Sequence, residues 1–274
     1  MSPLPPLTSL RVRTCFLSDM HLGFRGCRAE YLLDFLRNVE FETLYLVGDI
    51  VDLWSLKRSV YWPRAHHDVL RALLERARGG TRVVYVPGNH DRPFRDFHGW
   101  TLGHVEIATE AVHETADGRR FLILHGDEFD SVIRASPLLE SLGSRAYALA
   151  LGANRYVNVV RRRLGYPYWS VAAFLKHEVK NAVSYIANFE RAVAFEARRR
   201  GVDGMICGHI HRAAITEIDG ITYCNDGDWV ESCTALVEDF DGRLSLLRWT
   251  EEAQLIGASA EGLVASRVPD ARAA

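Results

Sequence analysis

The side chains of this sequence that could do chemistry fall in five short clusters, each at the end of an apolar run. Ser18-Asp19-Met20-His21 follows Val12 to Leu17, Gly48-Asp49 follows Thr43 to Val47, and Gly88-Asn89-His90-Asp91 follows Val83 to Val86. His125-Gly126-Asp127 follows Arg119 to Leu124, and Gly208-His209-Ile210-His211 follows Gly204 to Cys207. Carboxylates, imidazoles and one amide oxygen, with no thiolate among them, suit Mn²⁺, Fe or Zn²⁺. Asp19 and His21 are two residues apart, so an extended chain turns both to one side, where they can hold one divalent ion; His209 and His211 repeat the spacing. Gly48 lets the backbone before Asp49 come close to a ligand. Two ions about 3.5–4 Å apart clamp the attacking and leaving oxygens of an in-line phosphoryl displacement. His90 offers a proton or a ring nitrogen. Asp91 either orients that ring or caps a helix. Asp52, three residues beyond Asp49, is expected behind the ligands rather than among them.

A sheet must position these residues. The first ninety residues read strand–helix–strand–helix–strand. Tyr31, Leu32, Phe35 and Leu36 have helical spacing within 28–38, as do Val69, Leu70, Leu73 and Leu74 in a helix opened by Pro63 and running to Arg78. Two such βαβ units imply a parallel sheet with right-handed crossovers. Parallel strands end at one edge, which brings Asp19, His21, Asp49 and Asn89 together where α/β sheets bind ligands. After Asp91, hairpin signals take over: Asp117-Gly118, Asp219-Gly220 and Asp241-Gly242 each sit between apolar runs. They predict a second, more antiparallel sheet packed on the first. Trp54, Tyr61 and Trp62 either line a substrate cleft or plug their loop onto the core. His66 and His67 are expected on the surface.

Residues 131–200 are of a different kind, with helical patterns and almost no strand signal. They carry twelve Arg and Lys against four Glu, a net +8, while the whole chain is −2, so the remainder is −10. A basic helical insertion on an acidic core reads as a cap that receives an anionic substrate, or as a solvated basic helix pair. Arg161, Arg162, Arg163, Trp169 and Lys176 are its candidate substrate contacts, and an anionic membrane surface is a candidate partner. The expected domains are 12–250, the cap 131–200 within it, and a loosely held tail, 251–274. The five cysteines are odd in number and scattered, as expected of buried, reduced thiols in a cytosolic protein. Hydrophobic residues at 48% and charged residues at 25% fit a soluble globule with a sizeable core. Residues 1–10 lack the basic start and apolar stretch of a secretory signal, and no apolar run approaches the ~20 residues of a membrane span. Any membrane contact is expected to be peripheral.

Taken in order, Asp19-x-His21, Gly48-Asp49, Gly88-Asn89-His90-Asp91, His125-Gly126-Asp127 and Gly208-His209-x-His211 resemble the signature motifs of the calcineurin-like metallophosphoesterase superfamily. The resemblance spans residues 14–228. It implies an α/β fold of four layers, two mixed β-sheets sandwiched between helices, with the helical cap as an insertion. It also implies two metal ions, one held by Asp19, His21, Asp49 and His211 and the other by Asp49, Asn89, His125 and His209, with Asp49 bridging. His90 then remains for transition-state stabilisation or proton transfer, with Asp91 beside it. Gly48-Asp49-Ile50-Val51-Asp52-Leu53-Trp54 departs from the Gly-Asp-x-Val-Asp-Arg-Gly of protein Ser/Thr phosphatases. The Ser-Asp-x-His-Leu run, Asp52-Leu53-Trp54, Gly227-Asp228-Trp229 and the insertion between His125 and His209 are more similar to the UDP-2,3-diacylglucosamine diphosphatase family of lipid A biosynthesis. Trp54 is then a candidate substrate contact. That likeness implies a Mn²⁺-dependent hydrolase of a nucleotide-diphospho-lipid, working in the cytoplasm on the inner face of the inner membrane. Many of those enzymes carry Arg where this chain has His90, which leaves open a sister branch with another lipid or nucleotide diphosphate. A metal-dependent nuclease would use the same site, but no added DNA-binding module or coiled coil is evident and nucleic acid is not the expected partner. A non-catalytic scaffold would be expected to have lost ligands, and none of the seven is missing.

Overall fold

A computed structural model describes residues 10–130, 171–250 and 253–258 of the chain. Eight strands form one mixed sheet, in the order β13-β12-β11-β1-β2-β3-β5-β4. Its centre is parallel: β1 (Leu10–Leu17), β2 (Val39–Leu46) and β3 (Arg82–Tyr85) align so that Leu17 pairs with Leu46 and Leu46 with Tyr85. The crossovers between them carry α1 (Ala29–Asn38) and, after the short α2 (Leu53–Arg58), α3 (Arg64–Arg78). Side chains alternate along these strands between two cores, the pattern of a sheet covered on both faces. Leu17, Leu44, Leu46, Val83 and Tyr85 join Leu32, Phe35, Val69 and Leu73 in the helix-side core. Phe16, Tyr45, Val47, Val84 and Val86 join Phe121, Ile123 and Ile206 in the core between the sheets.

The second sheet is also mixed, with the order β6-β7-β8-β10-β9. The Asp117-Gly118 turn joins β6 (Ala111–Glu114) to β7 (Arg120–Ile123), and β7 runs parallel to β8 (Gly204–Cys207). The Asp219-Gly220 turn joins β9 (Ala214–Ile218) to β10 (Ile221–Asn225). The last expected hairpin lies elsewhere than its turn signals suggested. β11 (Thr234–Glu238) pairs antiparallel with β1, and β12 (Leu244–Trp249) follows it in the first sheet. β1 has no parallel neighbour on that side, so its backbone groups are satisfied there by an antiparallel strand. β13 (Ala253–Ala258) then pairs with β12, so part of the expected loose tail is an edge strand. The small strands β4 (Thr101–Leu102) and β5 (Val105–Ile107), which have no sequence pattern of note, close the opposite edge.

The chain divides into two compact units, residues 129–192 and the rest. The helix α4 (Val171–Arg200) enters the larger unit with its last turns. There Arg198 donates to the Asp219 carbonyl and Arg200 pairs with Glu110, tying the helix end to segments flanking the second sheet. Within the smaller unit Tyr185 donates to Asp130 at 2.7 Å. Arg161, Arg162, Arg163 and Trp169 lie outside the described residues, and of Lys176 only the helical backbone is described. All five cysteines are buried and free.

Candidate metal centre

The parallel strands deliver their clusters as their direction requires. β1 leads into Asp19 and His21, β2 into Asp49, and β3 into Asn89, His90 and Asp91. From the second sheet, β7 leads into His125 and β8 into His209 and His211. The loops are stitched together by backbone bonds: Asp19 N–H to Gly48 carbonyl, His21 N–H to Asp49 carbonyl, and Gly208 N–H to His125 carbonyl. Asp19, His21, Asp49, His209 and His211 all have positive φ, between 47° and 69°. Non-glycine residues rarely adopt this left-handed conformation, which costs on the order of 1–3 kcal/mol each. Five such residues in one place mark a site whose side-chain directions outweigh backbone comfort. Two glycines are required by close approach alone. A Cβ at Gly88 would run into Asp49 Oδ1, and one at Gly208 would run into Ser18 Oγ and Asp19 Oδ2.

Each buried carboxylate has one oxygen tied down and the other turned to the cluster. Asp19 Oδ2 accepts from Ser18 Oγ at 2.7 Å and from the His209 N–H at 2.9 Å. Asp19 Oδ1 is buried with no hydrogen bond and lies 3.0 Å from His211 Nε2 and 3.6 Å from His21 Nε2. Asp49 Oδ1 accepts from the His90 N–H at 2.8 Å. Asp49 Oδ2 lies 3.4 Å from His125 Nε2 and 3.9 Å from both His21 Nε2 and His90 Nε2. Donors bonded to one ion at about 2.1 Å and at right angles are about 3 Å apart, so these separations fit ions shared among them. Asn89 Oδ1 lies 3.2 Å from His125 Nε2. The His209 ring stands beside that of His125, centroids 5.1 Å apart. The structure thus gathers all seven candidate ligands, with Asp49 central.

The histidines are aimed from behind. His125 Nδ1 lies 2.9 Å from the Val47 carbonyl, which fixes the ring proton there and leaves Nε2 for the cluster. Asp52 stands behind two rings at once, 3.4 Å from His21 Nδ1 and 3.0 Å from His90 Nδ1, the second contact close but not aligned as a hydrogen bond. Asp52 also caps α2 by accepting from the Ser55 N–H at 2.7 Å. Burial opposes charge at Asp19 and His21, and the opposite charges crowded around them override it. Asp19 is held well below the usual carboxylate range by His211 and His21. His21 is pushed up to about 10 by Asp19 and Asp52. A buried cluster of anions and inward-facing ring nitrogens calls for cations, and the donor set fits the divalent metals that its residue types suggested.

The Asp91 carboxylate does neither of the two things the sequence suggests for it. Its carboxylate accepts from the N–H groups of Gly88 at 2.6 Å, Ile50 at 2.7 Å, and Asp49 and Val51 at 3.3 Å each. It pins the Asp49 loop to the Asn89 loop. It makes no cap bond to the 3-10 helix 92–97 that follows, and Asp52 takes the place at His90 expected for it. His66 is also corrected: it is buried, and its Nδ1 accepts from the Gly23 N–H at 2.9 Å, while His67 is exposed. Trp54 is half exposed on the first turn of α2, its ring centroid 4.1 Å from that of His90.

Two supporting residues, Arg95 and Asp226, carry no mark in their local sequence pattern, and Ser18, part of the first cluster, gains its role only from the structure. Arg95 bridges two ligand loops, donating to the Pro87 carbonyl at 2.9 Å and to Asp127 at 2.5 Å. Ser18 Oγ lies 2.6 Å from Asp226 Oδ1 as well as touching Asp19. Burial pushes the Asp226 carboxyl up.

The family model for calcineurin-like phosphoesterases matches residues 12–213. The chain belongs to that family. It is a metal-dependent hydrolase of a family that uses a dinuclear divalent-metal site, and among the described residues Asp19, His21 and His211, and Asp19, Asp49 and His125, are grouped closely enough to hold metal ions. A UDP-2,3-diacylglucosamine hydrolase from Xanthomonas campestris pv. campestris is 28% identical over 253 residues, covering 84% of this chain and 96% of the relative. One from Pseudomonas paraeruginosa is 28% identical over 243 residues, covering 83% and 95%. The solved structure of YfcE, a phosphoesterase from E. coli, aligns over 89% of this chain and 97% of its own, with 16% identity and a TM-score of 0.47.

Proposed function

We propose that this metallophosphoesterase hydrolyses the pyrophosphate of a nucleotide-diphospho-lipid, with UDP-2,3-diacylglucosamine as substrate and UMP and 2,3-diacylglucosamine 1-phosphate as products. The observation that carries the substrate is the match to relatives named for that hydrolysis along nearly their whole length, 96% in one case. Asp19, His21, Asp49 and His211 would hold one ion, and Asp49, Asn89, His125 and His209 the other, with Mn²⁺ the metal expected from the donor types. Bound there, the pair supplies Lewis acidity at the phosphoryl oxygens and hydroxide at neutral pH.

The chain's own residues do the rest. Asp49 Oδ2 faces both groups of histidines while Oδ1 is kept out of play by the His90 N–H. His90 stands at the mouth, its side chain 22% exposed, with Asp52 behind Nδ1 and Nε2 facing the cluster. It is placed to hold a proton at Nε2 for the leaving oxygen, or to stabilise charge on the phosphoryl group. Trp54 covers the ring and limits its rotation. The cap arginines Arg161, Arg162 and Arg163, with Trp169 and Lys176, would receive the diphosphate and its lipid, and the anionic inner face of a membrane is the partner surface. The test is a panel: UDP-2,3-diacylglucosamine, unacylated UDP-N-acetylglucosamine, a small phosphodiester and DNA. A kcat/KM for the acylated substrate at least 10²-fold above each of the others is expected. Preference for DNA would favour a nuclease on the same centre.

A further inference from the structure

Beside the mouth of the metal centre two segments close on each other. A Cβ at Gly23 would lie 2.7 Å from Leu56 Cγ, so the turn after His21 rests directly on α2. The Arg25 guanidinium lies 4.4 Å from the centre of the Tyr61 ring. Trp54, on α2, packs against the His90 ring at a tilt. Residues 22–29 and 53–63 are therefore one surface, continuous with the site. No residue of α2 is buried. Phe24 is 40% exposed, Trp54 50% and Val60 84%. Arg25, Lys57 and Arg58 are exposed among them. The two segments contain no Asp or Glu at all. The adjoining carboxylate, Asp52, is buried behind the histidines, and Glu30 follows on α1.

A short helix with no fully buried residue, and an aliphatic side chain standing in solvent beside it, draw little from the protein's own core. Bulky apolar side chains interleaved with cations and free of anions are what the headgroup layer of an anionic bilayer accepts: aromatic rings at the interface, an aliphatic tip below it, cations against the phosphates. Nucleic acid would use the cations and the rings but has no place for Val60. We propose that Phe24, Arg25, Trp54, Lys57, Arg58 and Val60 seat the catalytic core on an anionic bilayer, so that the mouth of the metal centre opens at the lipid surface. The proposal rests on the lipid-substrate assignment above, and it adds a contact made by the core itself, separate from the basic cap. A substrate whose acyl chains stay in the bilayer keeps its diphosphate in the headgroup layer, where this surface would hold His90 and Trp54.

The test measures binding with no substrate present. The purified full chain is floated with vesicles of phosphatidylglycerol and phosphatidylethanolamine, and with vesicles of phosphatidylcholine alone. Two double variants are compared, Lys57→Gln/Arg58→Gln and Phe24→Ser/Val60→Ser. All four positions are exposed and lie outside the metal centre, so thermal stability and turnover of a small soluble phosphodiester should stay at wild-type levels. The charge variant is expected to bind the anionic vesicles about 30-fold more weakly, and raised salt should reproduce its effect on the wild type. The apolar variant is expected to lose about tenfold or more, at either salt. Wild-type binding by either variant would overturn the proposal, as would equal wild-type binding to the phosphatidylcholine vesicles. A charge variant that loses retention on single-stranded RNA while keeping its vesicle binding would assign the surface to nucleic acid and also overturn it. If both variants lose vesicle binding but UDP-2,3-diacylglucosamine is not hydrolysed, the docking surface stands and the substrate assignment falls.

Discussion

Replacing Asp91 with Ala distinguishes a structural pin from a catalytic group. The Asp91 side chain is fully buried, and its carboxylate receives four backbone N–H groups from two ligand-bearing loops. Removing it strands those donors. A buried donor left unpaired costs about 1–3 kcal/mol. The bonds from Gly88 at 2.6 Å and Ile50 at 2.7 Å count in full, and the two at 3.3 Å count for little. The expected loss is therefore about 2–6 kcal/mol, against a total stability of about 5–15 kcal/mol for a domain. Urea unfolding followed by circular dichroism measures it, with chelator present so that metal binding does not contribute. Asp91→Ala should shift the midpoint down by a large fraction or prevent folding. Asp91→Asn, which keeps one acceptor oxygen, should fall between Ala and wild type, and its folded, metal-loaded fraction should keep activity within about tenfold. An Asp91→Ala protein with a wild-type midpoint and a fall in kcat of about 10²–10⁴ would refute the pin and restore the catalytic role.

Chelation should abolish hydrolysis and Mn²⁺ should restore it best; Asp49→Asn should be the most damaging single ligand change, since Asp49 Oδ2 faces three histidines, and full turnover after prolonged dialysis against chelator would sink the two-metal site. His90→Ala should keep metal content near wild type while the rate falls about 10²–10⁴; loss of one ion, measured by elemental analysis, would instead make His90 a ligand. Arg161→Ala, Arg162→Ala and Arg163→Ala together should raise KM for the lipid substrate and leave a small soluble phosphodiester unaffected, whereas equal losses on both would make the arginines supports of the fold. Glu238 is buried, which raises its pKa, but His113 Nε2 at 2.8 Å and the Ala116 N–H at 2.7 Å help hold it below the usual value. A depressed folded pKa means its stabilising contribution is present above about pH 4.3 and lost as pH falls through the lower folded value. Glu238→Gln should therefore lose more stability at pH 7 than at pH 3; an equal loss at both would contradict that sign.

The five clusters were legible in the sequence because ligand type and strand direction are both local properties. An apolar run fixes where a strand ends, and parallel pairing brings Asp19, Asp49 and Asn89 to one edge without further information. The pins were not legible. Asp52 and Asp91 each follow a ligand by two or three residues, and nothing in such spacing says whether a carboxylate faces a ring or a row of amides. Asp52 stands behind the ligands as expected, at His21 and also at His90, while Asp91 ties the loops instead of orienting His90. His66 looked like a surface residue because it opens a polar helix turn, yet its Nδ1 is committed to Gly23. The β11–β12 hairpin was expected correctly as a hairpin and placed in the wrong sheet, since turn chemistry fixes a pair of strands but not the edge the pair will cover. Asp226 and Arg95 act through tertiary contacts 208 and 32 residues away in sequence, which no local pattern records.

The central claim is tested most directly by incubating the Mn²⁺-loaded chain with UDP-2,3-diacylglucosamine in mixed micelles and identifying the products by mass spectrometry. The account predicts UMP and 2,3-diacylglucosamine 1-phosphate in equal amounts, with neither formed in chelator nor by the Asp49→Asn variant. UDP with free diacylglucosamine, or an intact substrate under conditions where the same preparation hydrolyses a soluble phosphodiester, would contradict it.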